Sequence, residues 1–195
     1  MSTIQLNEGQ VGGLVAPHYG RVGRDGAAYK TTETWAVHKI QRCLDDYDKI
    51  EILDQSARLI RDDIEQAIRR FQDYTYEYRL QLHYRDASIP FTITDKSGHG
   101  LTVEHVIPVR YLVAGVIQRR IPIKAALHAP MCLIRNQDND TLNKHKLTKT
   151  TPDPYWFWRR YQCLSHVDII TNRKDPVDMN TWNFQTHLDY FKISE

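Results

Sequence analysis

The stretch Leu101-Thr-Val-Glu-His-Val-Ile-Pro108 decides how the fold of this 195-residue chain is interpreted. It is rich in apolar and β-branched residues, and proline ends it because proline cannot donate a hydrogen bond to a strand ladder. The pattern predicts a strand over Leu101–Ile107 that carries a carboxylate, Glu104, beside a histidine, His105, near its end. Neighbouring side chains on a regular strand point to opposite faces, so the two can meet at one point only if the strand bends.

Elements on both sides of this stretch follow from the same kind of pattern. Strands are predicted over Ile89–Thr94 and Met131–Arg135 from their β-branched and apolar residues. Helices are predicted over Val109–Arg120 and Asn139–Leu147, the second with Asn136 or Asp138 as its cap.

The region before residue 89 is predicted to be largely helical. From Thr32 to Tyr84 apolar residues recur every three, four or seven positions, with a break near Asp45–Asp48. The second helix carries one stripe, typical of a core or a dimer seam, at Leu53, Ala57, Ile60, Ile64, Ile68, Phe71, Tyr78 and Leu82. Residues 1–30 are glycine-rich and predict an irregular arm with a short strand near Val11–Ala16.

Composition limits the classes of protein. Hydrophobic residues make up 41% of the chain, enough for a packed core, and no apolar run is long enough to cross a bilayer. The polar residues 1–10 lack the pattern of a signal peptide, which predicts an intracellular protein without a membrane partner. Cys43, Cys132 and Cys163 form no CxxC pair, so buried thiols are expected and a zinc site is not.

Positive charge is concentrated in one third of the chain. Val106–Thr150 has eight basic and two acidic residues, a net charge of +6, whereas Thr31–Asp86 has nine basic and twelve acidic residues. A nucleic-acid backbone is a common partner for such a segment, and a solvated basic face is the alternative. The aromatic and basic cluster Trp156–Arg160 has two interpretations. It could contact nucleic acid, or its aromatic residues could pack against the core while its arginines remain solvated.

The order of strand, Glu-His-Val-Ile-Pro, loop, strand, asparagine and helix resembles the HNH endonuclease family. The resemblance covers about Phe91–Leu147 and implies an α+β fold with a ββα-metal core. It implies that Glu104 binds magnesium or manganese, that His105 activates water, and that Asn139 or His145 completes the metal site. Asn136 and Asn143 would orient these groups. The chain departs from the family in having Glu in place of the commoner Asp and 34 positions between His105 and Asn139.

The resemblance implies a divalent-metal-dependent endonuclease that cleaves double-stranded DNA, of the restriction or phage type. Residues 1–88 would form an arm and helical scaffold, 89–150 the nuclease core, and 151–195 a C-terminal extension. Cleavage of both strands needs two active sites, which favours a homodimer. Phosphate contacts are expected from Arg119, Arg120, Arg135, Lys144 and Lys146. The alternative functions are a non-catalytic nucleic-acid-binding protein with the same fold, and a structural or adaptor protein that binds its partners through the helical stripe.

Overall fold

Two long helices begin the part of the chain that this computed structural model describes. It describes residues 27–50, 55–77, 83–92 and 99–193, and the side chains within these ranges except over 27–31 and 74–77. The two helices are α1 (Ala27–Tyr47) and α2 (Gln55–Glu77), which pack against each other. Ile64, Ile68 and Phe71 have no exposed surface, so these positions of the predicted stripe belong to the core, while Ile60 packs against it partly buried.

Four short strands form one mixed sheet. They are β1 (Tyr84–Asp86), β2 (Leu101–His105), β3 (Met131–Arg135) and β4 (Ile169–Thr171). Their order across the sheet is β2-β3-β1-β4, with β1 parallel to β3 and the other two pairs antiparallel. The predicted α+β class is therefore confirmed at the level of a mixed fold with a small sheet.

The remaining helices surround this sheet. They are α3 (Val109–Ile117), α4 (Ile123–Leu127), α5 (Asn136–Lys144), a 3₁₀ helix (Phe157–Cys163) and α6 (Phe184–Phe191). α5 continues directly from β3 and packs against both β2 and β3, so two antiparallel strands are followed by a helix. None of the described helices has both the length and the apolar character needed to span a membrane.

Several predicted elements differ from those in the structure. The strand expected over Ile89–Thr94 is absent from its described part, which is a turn, because Asp86 accepts hydrogen bonds from the backbone N–H and hydroxyl of Ser88 and so ends β1. α3 ends at Ile117, before Arg119, whose left-handed φ of 57° interrupts the helix.

α5 begins at Asn136, three residues earlier than expected, because it follows β3 without a loop. The backbone N–H of Asn136 donates to the carbonyl of Gly100, and Asp138 lies inside the first turn, so neither residue is the cap. The predicted strand near Val11–Ala16 lies outside the described residues.

A buried chain of hydrogen bonds fixes α6 to the core. The indole N–H of Trp182 donates to the Tyr84 hydroxyl at 2.9 Å. The same hydroxyl oxygen lies 2.8 Å from His187 Nδ1. His187 Nε2 lies 2.9 Å from the carbonyl oxygen of His128, which can only accept. Nε2 therefore carries the proton, Nδ1 accepts from Tyr84, and the neutral ring satisfies both bonds. Burial lowers the pKa of His187 to about 3.

We expect the free energy of unfolding to fall as the pH drops below about 6.5. An unfolded chain binds a proton at His187 near pH 6.5, while the folded chain resists it until about pH 3. His187 alone should therefore remove about 2–3 kcal/mol of stability between pH 7.5 and pH 4.5. Urea unfolding at both pH values measures the change, and His187→Gln should lose this part of the pH dependence. The variant His145→Gln, at an exposed position, should keep it. An equal change in the free energy of unfolding between the two pH values in both variants would contradict the assignment of this change to His187.

Candidate functional site

Glu104 and His105 lie on opposite faces of β2. The strand stays regular to its end, where Glu104 pairs with Cys132 and His105 with Met131. Successive side chains of a regular strand alternate between the faces of the sheet. Glu104 is 6% exposed, and His105 is half-buried beside a surface pocket. The bend that would bring the two side chains to one point is not formed.

The carboxylate of Glu104 is held by the 3₁₀ helix. Arg160 donates to Oε1 at 2.6 Å, and the Tyr161 hydroxyl donates to Oε2 at 2.6 Å. A second guanidinium nitrogen of Arg160 donates to the backbone carbonyls of His105 at 3.1 Å and Val106 at 2.9 Å. We call this group of three residues the clamp: Glu104, Arg160 and Tyr161. Burial raises the pKa of Glu104 to about 7, against the opposing effect of Arg160 and Tyr161.

This arrangement does not fit Glu104 as a magnesium or manganese ligand. Both carboxylate oxygens already accept short hydrogen bonds in a buried setting, and a hard cation would have to displace a guanidinium. Within the described ranges, no three His, Cys, Asp or Glu side chains are grouped so that they could hold a metal ion.

His105 opens on a pocket of about 270 Å³ between α2, α3 and the segment after α5. The pocket is lined by Glu65, Arg69, His105, Pro108, Val109, Arg110, Thr148 and Lys149. Pro108 is the N-cap of α3, and Val109 and Arg110 are its first two residues, so the positive end of that helix dipole lies at the pocket. Backbone N–H groups at a helix start are well suited to bind an anion.

The charges of the pocket also favour an anion. Arg69, Arg110 and Lys149 are basic, and Glu65 is the one acidic lining residue, paired with Arg69 at 2.8 Å. The Nε2 atom of His105 is buried and has no hydrogen-bond partner among the described residues. Burial, followed by the charges of Arg69 and Arg160, lowers the pKa of His105 to about 4. The imidazole is therefore neutral at pH 7 and able to accept a proton.

The other residues expected at a metal site lie on or next to α5, outside this pocket. Asn139 is half-buried, and His145 is exposed at the C-cap. Asn136 accepts a hydrogen bond from Thr102. Asn143 accepts one from Thr148, which lines the pocket, so it is the one of these residues with a contact to the pocket lining.

The five basic residues expected to contact phosphates have different surroundings. Arg119 is paired with Asp48 at 2.7 Å. Arg135 donates to the hydroxyl of Ser88 at 3.1 Å and lies 3.9 Å from Asp86. Exposed positions are occupied by Arg120, Lys144 and Lys146. None of the five lines the pocket.

Sequence reasoning did not identify the residues that build the site. Arg110 and Lys149 belong to the basic segment, but nothing in the pattern set them apart from its other charges. Arg69 lies on α2, in the acidic region, and reaches the pocket only through helix packing. Arg160, expected to be solvated, is fully buried. Its position between Trp158 and Tyr161, both buried, is the one local signal that could have indicated this.

The chain was compared with known proteins at the level of family, sequence and structure. No family model, no curated protein and no solved structure matches it.

We expect Glu104→Ala to destabilise the protein strongly. The change leaves the buried guanidinium of Arg160 without its counter-charge, which typically costs about 3–5 kcal/mol. Urea unfolding measures the loss. Asp63→Ala is the matched control, because it breaks the exposed Lys39–Asp63 pair and should cost less than about 1 kcal/mol. Equal effects of the two changes would show that the clamp is not a buried ion pair in solution.

Proposed function

We propose that this protein is an endonuclease that hydrolyses phosphodiester bonds of DNA in the His105 pocket. The observation that carries the proposal is a neutral histidine that lines a pocket with three basic side chains and a helix start; its buried Nε2 atom has no hydrogen-bond partner among the described residues. A phosphodiester has the charge that such a pocket attracts, and its hydrolysis needs a base next to the bound phosphate.

The pocket residues take separate roles in the reaction. Arg110, Lys149 and the first N–H groups of α3 bind the phosphate oxygens and stabilise the charge that grows on them in the transition state. A water molecule attacks phosphorus and gives its proton to His105, while the bond from phosphorus to the leaving oxygen breaks and solvent protonates that oxygen. The bound anion offsets the charge of Arg69, which raises the basicity of His105 when substrate is present.

The resemblance to HNH endonucleases supports this proposal through the order of elements. β2 and β3 are antiparallel neighbours in the sheet, separated along the chain by α3 and α4; α5 follows β3 directly, and His105 ends β2. Magnesium or manganese remains the cofactor that the resemblance predicts. The described residues build no cage for it around Glu104, so the reaction steps above use only the protein's own groups.

A non-catalytic nucleic-acid-binding protein is the second candidate. The observation that favours it is the engagement of both oxygens of Glu104 by Arg160 and Tyr161, which removes the expected metal ligand. Such a protein would bind DNA through the same basic pocket without cleaving it. The two candidates differ in one result, the appearance of new DNA ends.

His105→Ala is expected to reduce DNA cleavage by about 10²- to 10⁴-fold, the usual contribution of a positioned base, with little change in DNA affinity. Plasmid nicking with magnesium, with manganese and with a chelator measures the rate and the metal dependence. Because His105 has a pKa of about 4, kcat/KM should stay level from pH 8 down to about pH 5. His99→Ala, an exposed histidine outside the pocket, is the control. Binding without cleavage under all three conditions would leave the non-catalytic candidate.

Arg110→Ala together with Lys149→Ala is expected to weaken DNA binding for all sequences and to flatten its salt dependence. Each phosphate contact releases condensed counterion, so the slope of log affinity against log salt should fall by about 0.9 per lost contact with duplex DNA. Fluorescence anisotropy at several salt concentrations measures the slope. Lys39→Ala removes a cation that pairs with Asp63 away from the pocket and should leave the slope unchanged. An unchanged slope in the double variant would exclude the pocket as a phosphate site.

A further inference from the structure

The clamp holds the backbone from which the His105 side chain leaves. Arg160 spans three oxygen atoms at the end of β2, namely the carboxylate of Glu104 and the carbonyls of His105 and Val106. The planar guanidinium can satisfy this set only when the two carbonyls keep one orientation. Pairing of His105 with Met131 restrains the same peptide from the neighbouring strand.

We propose that the clamp positions His105 for the reaction in the pocket, with Glu104, Arg160 and Tyr161 as positioning residues that do not touch the substrate. This inference rests on the proposed function. It assigns Glu104 to the face of β2 opposite the pocket, where it fixes the strand end, while His105 projects from the other face towards the phosphate.

The cost of the clamp supports a role in positioning. A buried ion pair can often be replaced by apolar residues without loss of stability, so its presence is weak evidence for stabilisation. Arg160 has no exposed surface, and its Nε atom has no partner in the described parts of the chain, which adds to the cost. What the ion pair supplies, and apolar packing does not, is a fixed orientation of two successive carbonyl groups.

The positive charge of Arg160 also affects His105. Arg160 lies on the far side of the strand and, after burial and Arg69, contributes to lowering the pKa of His105. The clamp thus adds to the larger effects of burial and Arg69, which keep the ring in the neutral form that accepts a proton.

Tyr161→Phe is the sharpest test because it removes one donor from Glu104 and leaves the contacts of Arg160 with the two carbonyls in place. The Tyr161 hydroxyl also lowers the pKa of Glu104, so the charge of Glu104 changes with it, and the tautomer of His105 is the readout that reports the position of the ring. NMR of the ring nitrogens gives the tautomer and the pKa, inorganic phosphate serves as the probe of the pocket, and DNA cleavage gives kcat and KM. Thr102→Val is the matched control. Thr102 lies on the same strand as Glu104, and the change removes its hydrogen bond to Asn136.

We expect Tyr161→Phe to raise the pKa of His105 from about 4 towards its ordinary value as the ring gains solvent. We expect kcat to fall by about 10- to 100-fold, the effect of small misplacement, with KM and phosphate affinity nearly unchanged. Thr102→Val should change neither the pKa of His105 nor kcat. A folded Tyr161→Phe protein with the wild-type pKa and tautomer at His105 would overturn the positioning role.

A second variant covers the case in which Tyr161→Phe does not fold. Glu104→Leu, Arg160→Met and Tyr161→Phe together replace all three polar groups of the clamp with apolar ones, a type of change that proteins often tolerate. Because this variant also removes the charge of Arg160, which lowers the pKa of His105, the tautomer of the ring is the readout there: a changed tautomer is expected, and an unchanged one would overturn the inference. If the wild-type protein binds phosphate but cuts no DNA, the proposed function fails, and the tautomer of His105 alone decides on positioning.

Discussion

The buried ion pair between Glu104 and Arg160 imposes the strongest constraint on this structure. Removing two charges from water costs several kcal/mol for each ion, so both charged groups need partners inside the protein. The partners come from places 56 positions apart in the chain: the end of β2 and the 3₁₀ helix Phe157–Cys163. The C-terminal segment therefore has to fold back onto the sheet at this point. Trp158 and Tyr161, which flank Arg160, are buried in the same core as the helices before the sheet.

A second polar network holds the other end of this segment. The bonds from Trp182 to Tyr84, from Tyr84 to His187 and from His187 to the His128 carbonyl join α6 to β1 and to the end of α4. Each group in the network is satisfied, and a satisfied buried network specifies one arrangement of the elements that it joins. Residues 151–193 are thus part of the core in two places, through two different kinds of polar contact.

The alternation of side chains along β2 determines the chemistry that this region can perform. Glu104 faces inward and is used to hold the strand, whereas His105 faces the pocket between α2 and α3. A metal site of the kind that the Glu-His pair suggests needs both residues on one side. Regular pairing with β3 as far as Met131 keeps them apart, so the pocket combines the histidine with cations from other elements. Its charge favours an anionic ligand.

Local periodicity in the sequence was enough to predict the two long helices, a strand over Leu101–Ile107 that ends at His105 in the structure, the strand Met131–Arg135 and a helix after it. Each of these elements buries a face whose pattern repeats within a few residues, so the signal lies in neighbouring positions. β1 could not be predicted in this way, because a three-residue strand exists through its pairing with β3 and β4. The pocket was equally out of reach. Arg69 and Lys149 are 80 positions apart and become neighbours only when α2 packs beside the segment that follows α5. Whether an arginine such as Arg160 is solvated or buried depends on a carboxylate that the fold brings to it, and charge counts along the chain carry no such information.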